Sequence, residues 1–76
     1  MNNARREALA KIREAVEEAK GDIEMLRDEE QEYIDNMPES LQSSERAETA
    51  ESAVSSMDDA IDSLEEVVGS IEEAES

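Results

Sequence analysis

Two runs of apolar residues step through this chain in alternating threes and fours, and its one proline lies at the end of the first. The first run is Leu9, Ile12, Val16, Ala19, Ile23, Leu26, Tyr33 and Met37, with the charged Glu30 standing at one position of the same stripe. The second is Ala47, Ala50, Val54, Met57, Ile61, Leu64, Val68 and Ile71. Such spacing puts each run on one stripe of a helix, at positions a and d of a heptad that begins with Leu9 or Ala47 at a. Pro38 has no backbone donor and disfavours helix at Met37, so the first helix is predicted to stop near Asn36.

The fold class that follows is all-α: an antiparallel two-helix hairpin, coiled-coil-like, forming one domain over residues 1–76. The spacing predicts a helix over 3–36, a turn over 37–43 and a helix over 44–74. Asn2 or Asn3 is placed to cap the first helix, and Ser43 or Ser44 the second, with Glu45 in its positive first turn. Asn36 with Glu39 is expected to cap a brief helical turn beginning near Pro38. Leu41 is expected to fold back over the end of the hairpin.

Reversal around residue 40 sets a register. Leu9 meets Ile71, Val16 meets Leu64, Ile23 meets Met57, and Tyr33 lies opposite the small Ala47. Arg6, Arg13, Lys20 and Arg27 all occupy heptad position e, and e of the second helix holds Glu51, Asp58, Glu65 and Glu72. Because e faces e in an antiparallel pair, the expected ion pairs are Arg27–Glu51, Lys20–Asp58, Arg13–Glu65 and Arg6–Glu72. Exposed pairs add little stability, but a slipped hairpin loses all of them.

The other flank carries Ala53, Ala60, Val67 and Ala74 on the second helix and Ala8 and Ala15 on the first. With the seam, they make an apolar stripe wider than one partner helix covers. A second hairpin docking there gives a four-helix bundle. The expectation is a homodimer, which also answers the size problem: a lone core of 76 residues is marginal, and no cysteine is present to brace it.

Charge sets the second theme. The chain has 23 acidic and 7 basic residues, a formal charge of −16, and its last thirty residues carry ten acids and no base. Glu17, Glu24, Asp28, Asp35, Glu48, Asp59, Asp62, Glu66 and Glu73 point outward on the heptad and make the expected anionic interaction surface. Near the turn, Asp28, Glu29, Glu30, Glu32 and Asp35 approach Glu45, Glu48 and Glu51, which should focus negative potential there. Helices of ~30 residues are about 45 Å long. The carboxylates then fall roughly one per 2 Å, near the one phosphate per 1.7 Å of duplex DNA. Such a surface can act as a DNA mimic that occupies the groove of a basic host protein with a nucleic-acid-binding surface. The alternatives are a structural or oligomerisation module working through the alanine-rich face, and a weak metal-binding protein using Asp58 and Asp62.

Other chemistry finds little footing. No histidine is present, so zinc sites of the HExxH kind and histidine-based triads are excluded, and Gly21 and Gly69 form no phosphate loop. Ser55, Ser56 and Ser63 have no organised base beside them. No enzyme activity, cofactor or metal is expected. A surface this negative is repelled by nucleic acid and by anionic lipid, so neither direct nucleic-acid binding nor membrane association is expected. The absence of cysteine, of a signal peptide and of a long apolar run fits a cytoplasmic protein.

The stretch Glu32-Tyr33-Ile34-Asp35-Asn36-Met37-Pro38-Glu39-Ser40-Leu41-Gln42-Ser43-Ser44-Glu45-Arg46, followed by an acidic alanine-rich helix, resembles small acidic helical proteins of phages and prophages from Gram-positive bacteria. The resemblance carries no catalytic residue. It implies a phage accessory role directed at host defence or DNA-handling enzymes.

Overall fold

The computed structural model describes all 76 residues. The chain is all-α, with two long helices joined by a short 3₁₀ turn and packed as an antiparallel hairpin: α1, Asn3–Asp35, and α2, Glu45–Glu75, with the turn at Glu39–Leu41. The molecule is a rod of 59 × 14 × 12 Å. Helix ends fall within one residue of the sequence-derived limits.

Local chemistry accounts for the boundaries. Asn2 caps α1, its side-chain oxygen accepting from the Arg5 backbone N–H at 2.8 Å. At the other end the Asn36 N–H reaches Glu32 O (3.0 Å), and the Met37 N–H reaches Ile34 O (3.1 Å). Pro38 then adopts φ −58°, ψ 146°, extended backbone that carries the chain across. Ser44 caps α2 by accepting from the Ala47 N–H at 3.3 Å, and Glu45 and Glu48 sit in the first turn. Asn36 and Glu39 do not form the cap expected of them, since no side chain caps the 3₁₀ turn. Leu41 does not close the end either. It stays exposed, and Met37 is the buried residue there.

Core burial is concentrated near the turn. Met37, Ala47, Ala50 and Val54 are the buried residues, 4 of 76. Small side chains at Ala47 and Ala50 let the two backbones come close where the chain reverses. Further out, Leu9, Val16 and Ile23 on α1 and Met57, Ile61, Leu64, Val68 and Ile71 on α2 are only half-buried. Leu9 lines one groove with Ile71, and Glu30 lines another with Ala50, two pairs that reversal around residue 40 sets opposite each other.

The rotation of α1 differs from the expected one. Its d positions, Ile12, Ala19, Leu26 and Tyr33, are exposed, and its e positions, Arg13, Lys20, Arg27 and Ile34, are half-buried. Thus α1 turns its a and e edge to α2, while α2 presents a and d. Arg and Lys stems bring three or four methylene groups to a seam and keep their charge at its rim. Those stems cover α2 where Ile12 and Leu26 were expected to do so.

Candidate functional site: an anionic surface and an uncharged flank

Three of the six cations on α1, Arg13, Lys20 and Arg27, are spent within the hairpin. Arg13 forks onto Glu75, with Nε donating to Oε1 at 2.8 Å and Nη2 to Oε2 at 3.4 Å. Its Nη1 also reaches Glu17 Oε1 at 3.3 Å, one helical turn away. Lys20 Nζ lies 3.3 Å from Glu65 Oε1. Arg27 Nε donates to Asp58 Oδ1 at 2.8 Å, and Nη1 lies 3.4 Å from Asp28 Oδ1. The Arg13 guanidinium is held above its ordinary value, first by the hydrogen bond to Glu75 and then by that to Glu17. Arg27 is raised chiefly by its hydrogen bond to Asp58.

These partners correct the expected ladder. Arg27 takes Asp58 rather than Glu51, and Lys20 takes Glu65 rather than Asp58, each one heptad further from the turn. Arg13 passes both Glu65 and Glu72 for Glu75. Arg6 makes no carboxylate pair, and its Nη1 donates to Asn3 Oδ1 at 3.3 Å. Glu51 and Glu72 are exposed and unpaired. The cause is the tilt of helical side chains toward their own N-terminus. On α1 that lean is away from the turn, and on α2 it is toward it. A long cation therefore meets the carboxylate whose backbone starts further out.

Every residue of the expected anionic surface is exposed: Glu17, Glu24, Asp28, Asp35, Glu48, Asp59, Asp62, Glu66 and Glu73. Glu17 and Asp28 are partly neutralised by Arg13 and Arg27, and Asp35 accepts from Gln31 Nε2 at 2.9 Å. The others face solvent without a cation. Asp58, Asp59 and Asp62 do not converge, as no three acidic side chains are grouped to hold a metal ion. No helix is long and apolar enough to cross a membrane.

The expected oligomerisation face is open. Ala8, Ala15, Val67 and Ala74 are exposed, and Ala53 and Ala60 are half-buried. Sequence reasoning missed the rest of this flank. Ile12, Leu26 and Tyr33 were assigned to the seam but are 52%, 54% and 43% exposed. Tyr33 lines one groove with Ala50 and Ala53, which puts the d edge of α1 beside the g edge of α2. Next to g, position c of α2 holds Thr49, Ser56, Ser63 and Ser70. From Thr49 to Ala74, no c or g position of α2 carries a charge, and the acids are confined to b, e and f. That confinement was readable in the sequence once c was counted with g.

The rod therefore has two unlike long surfaces, one crowded with unpaired carboxylates and one without charge on α2. Comparison with protein-family models, curated proteins and solved structures finds no match to this chain.

Proposed function

We propose that this chain is a non-enzymatic protein-binding module whose carboxylates engage a basic host protein in place of nucleic acid. The partner class is a DNA-handling or defence protein with a positively charged groove, met in the cytoplasm. The observation that carries the reading is charge density on a rigid rod. Twenty-three carboxylates along 59 Å give one per about 2.6 Å, against one phosphate per about 1.7 Å of duplex DNA. Arg13, Lys20 and Arg27 are turned onto Glu75, Glu65 and Asp58 and neutralise them, which leaves the outward acids Glu24, Glu48, Asp59, Asp62, Glu66 and Glu73 without a cation. Binding of this kind is steered by long-range attraction and weakens steeply with salt.

Immobilised protein incubated with host lysate is expected to retain basic partners at low salt and release them when duplex DNA is added. The quadruple variant Asp59→Asn, Asp62→Asn, Glu66→Gln, Glu73→Gln is expected to lose that retention while keeping its helical circular dichroism. Retained partners that DNA does not displace would refute mimicry.

A further inference from the structure

We propose that two copies of the hairpin pair face to face through the uncharged flank, running in opposite directions about a two-fold axis at Ala19 of α1 and between Ala60 and Ser63 of α2. The proposal is independent of the carboxylate surface, which lies on other heptad positions.

Surface area is the first argument. A compact 8.4 kDa monomer exposes about 4,600 Å², whereas this chain exposes 5483 Å². The excess is about 900 Å², and each partner in a standard protein interface buries about 800 Å². One long face of the rod, 59 by 14 Å, has about that footprint. That excess belongs to the elongated shape, and one long face is large enough for one partner's share of a standard interface.

Self-complementarity identifies the occupant as a second copy. Reversal around residue 40, with Leu9 in one groove with Ile71 and Glu30 in another with Ala50, sets Ala19 near the height of Ile61. A two-fold axis at that height acts on both helices at once. On α1, small Ala19 meets its own copy, and Ile12 meets the partner's Leu26, so both exposed large residues are covered. On α2, Ala60 meets Ser63 and Ala53 meets Ser70, small residues that permit close backbone approach. At each end Arg5, which has no carboxylate partner within its own chain, comes over the partner's exposed Tyr33, beside the half-buried Glu30. A guanidinium over a tyrosine ring is a favourable cation–π pair.

Charge is compatible with this direction. Position g of α1 reads Ala8, Ala15, Asp22, Glu29. With α1 running antiparallel to the partner's α1, Asp22 lies against Ala15 and Glu29 against Ala8, so like charges do not meet. Each contact away from the axis occurs twice, as a closed two-fold interface requires.

Light scattering of the full chain is expected to give twice the chain mass. Ala19→Arg, which puts two cations on the axis, is expected to halve that mass, and Glu24→Arg, away from the flank, to leave it unchanged. Cross-linking reads the geometry without relying on the folding of Ala19→Arg. Ile12→Cys mixed with Leu26→Cys is expected to form the mixed disulfide faster than either protein forms its own. A single-chain mass for the unaltered protein would overturn the proposal, as would Ile12→Cys linking to itself faster than to Leu26→Cys. Neither result would touch the DNA-displacement experiment, which reads the other surface.

Discussion

The turn-proximal and open ends of this hairpin are held together by different means. Near the turn, Met37, Ala47, Ala50 and Val54 are buried, and Glu51 has no cation because position e of α1 there is Ile34. Toward the open end no residue is buried, and Arg13, Lys20 and Arg27 reach across to Glu75, Glu65 and Asp58. One end has packing with no ion pair between the helices, and the other has ion pairs between the helices with loose packing. Exposed ion pairs contribute far less than buried apolar surface. Stability should therefore be graded along the rod, highest at the turn.

The largest effect comes from placing a charge in each region. Val54→Asp is expected to cost about 3 kcal/mol, because it buries an unpaired carboxylate in the tight end. Val68→Asp, at the same heptad position in the half-open region, is expected to cost less than half as much. Urea titrations of the two variants measure the contrast, and equal losses would abolish it.

Salt separates the two ends with the opposite sign. The raised guanidiniums of Arg13 and Arg27 stay charged at every neutral and acid pH, and their contribution is lost only in strong alkali. Salt screens both the repulsion among exposed carboxylates and the attraction within exposed ion pairs. Because acids outnumber bases 23 to 7, raising ionic strength should raise the melting temperature. Amide exchange near Asp28–Asp35 and Glu45–Glu51 should slow more than at the open end, where salt also weakens the pairs of Arg13 with Glu75 and Lys20 with Glu65. A fall in melting temperature with added salt would show that ion pairs outweigh repulsion.

The smallest effect sharpens the ladder itself. A double-mutant cycle should find coupling between Arg27 and Asp58 and none between Arg27 and Glu51. Coupling to Glu51 instead would restore pairing between residues at equal height.

The hairpin was readable because heptad spacing, Pro38 and the Ser44 cap all specify the same two helices. The acids on b, e and f were readable too, since those positions lie away from any seam. The rotation of α1 was not. A helical wheel scores Arg13, Lys20 and Arg27 by their charged heads, whereas their stems occupy the seam. The partners of those cations were missed for a related reason, because heptad letters give the height of each Cα and ignore the lean of the side chain. At the turn, Met37 is buried because it lies on the a stripe of α1, whereas Leu41 lies off both stripes and stays exposed.

A fold with four buried residues has little reserve against the entropy of its own backbone. Whatever covers its open flank adds stability in proportion to the logarithm of its concentration. Under the pairing of two copies proposed above, abundance becomes a determinant of lifetime: scarce copies fray and are open to proteases, while plentiful copies shelter one another. Such a chain would accumulate in a threshold manner, cleared while expression is low and persistent once it is high.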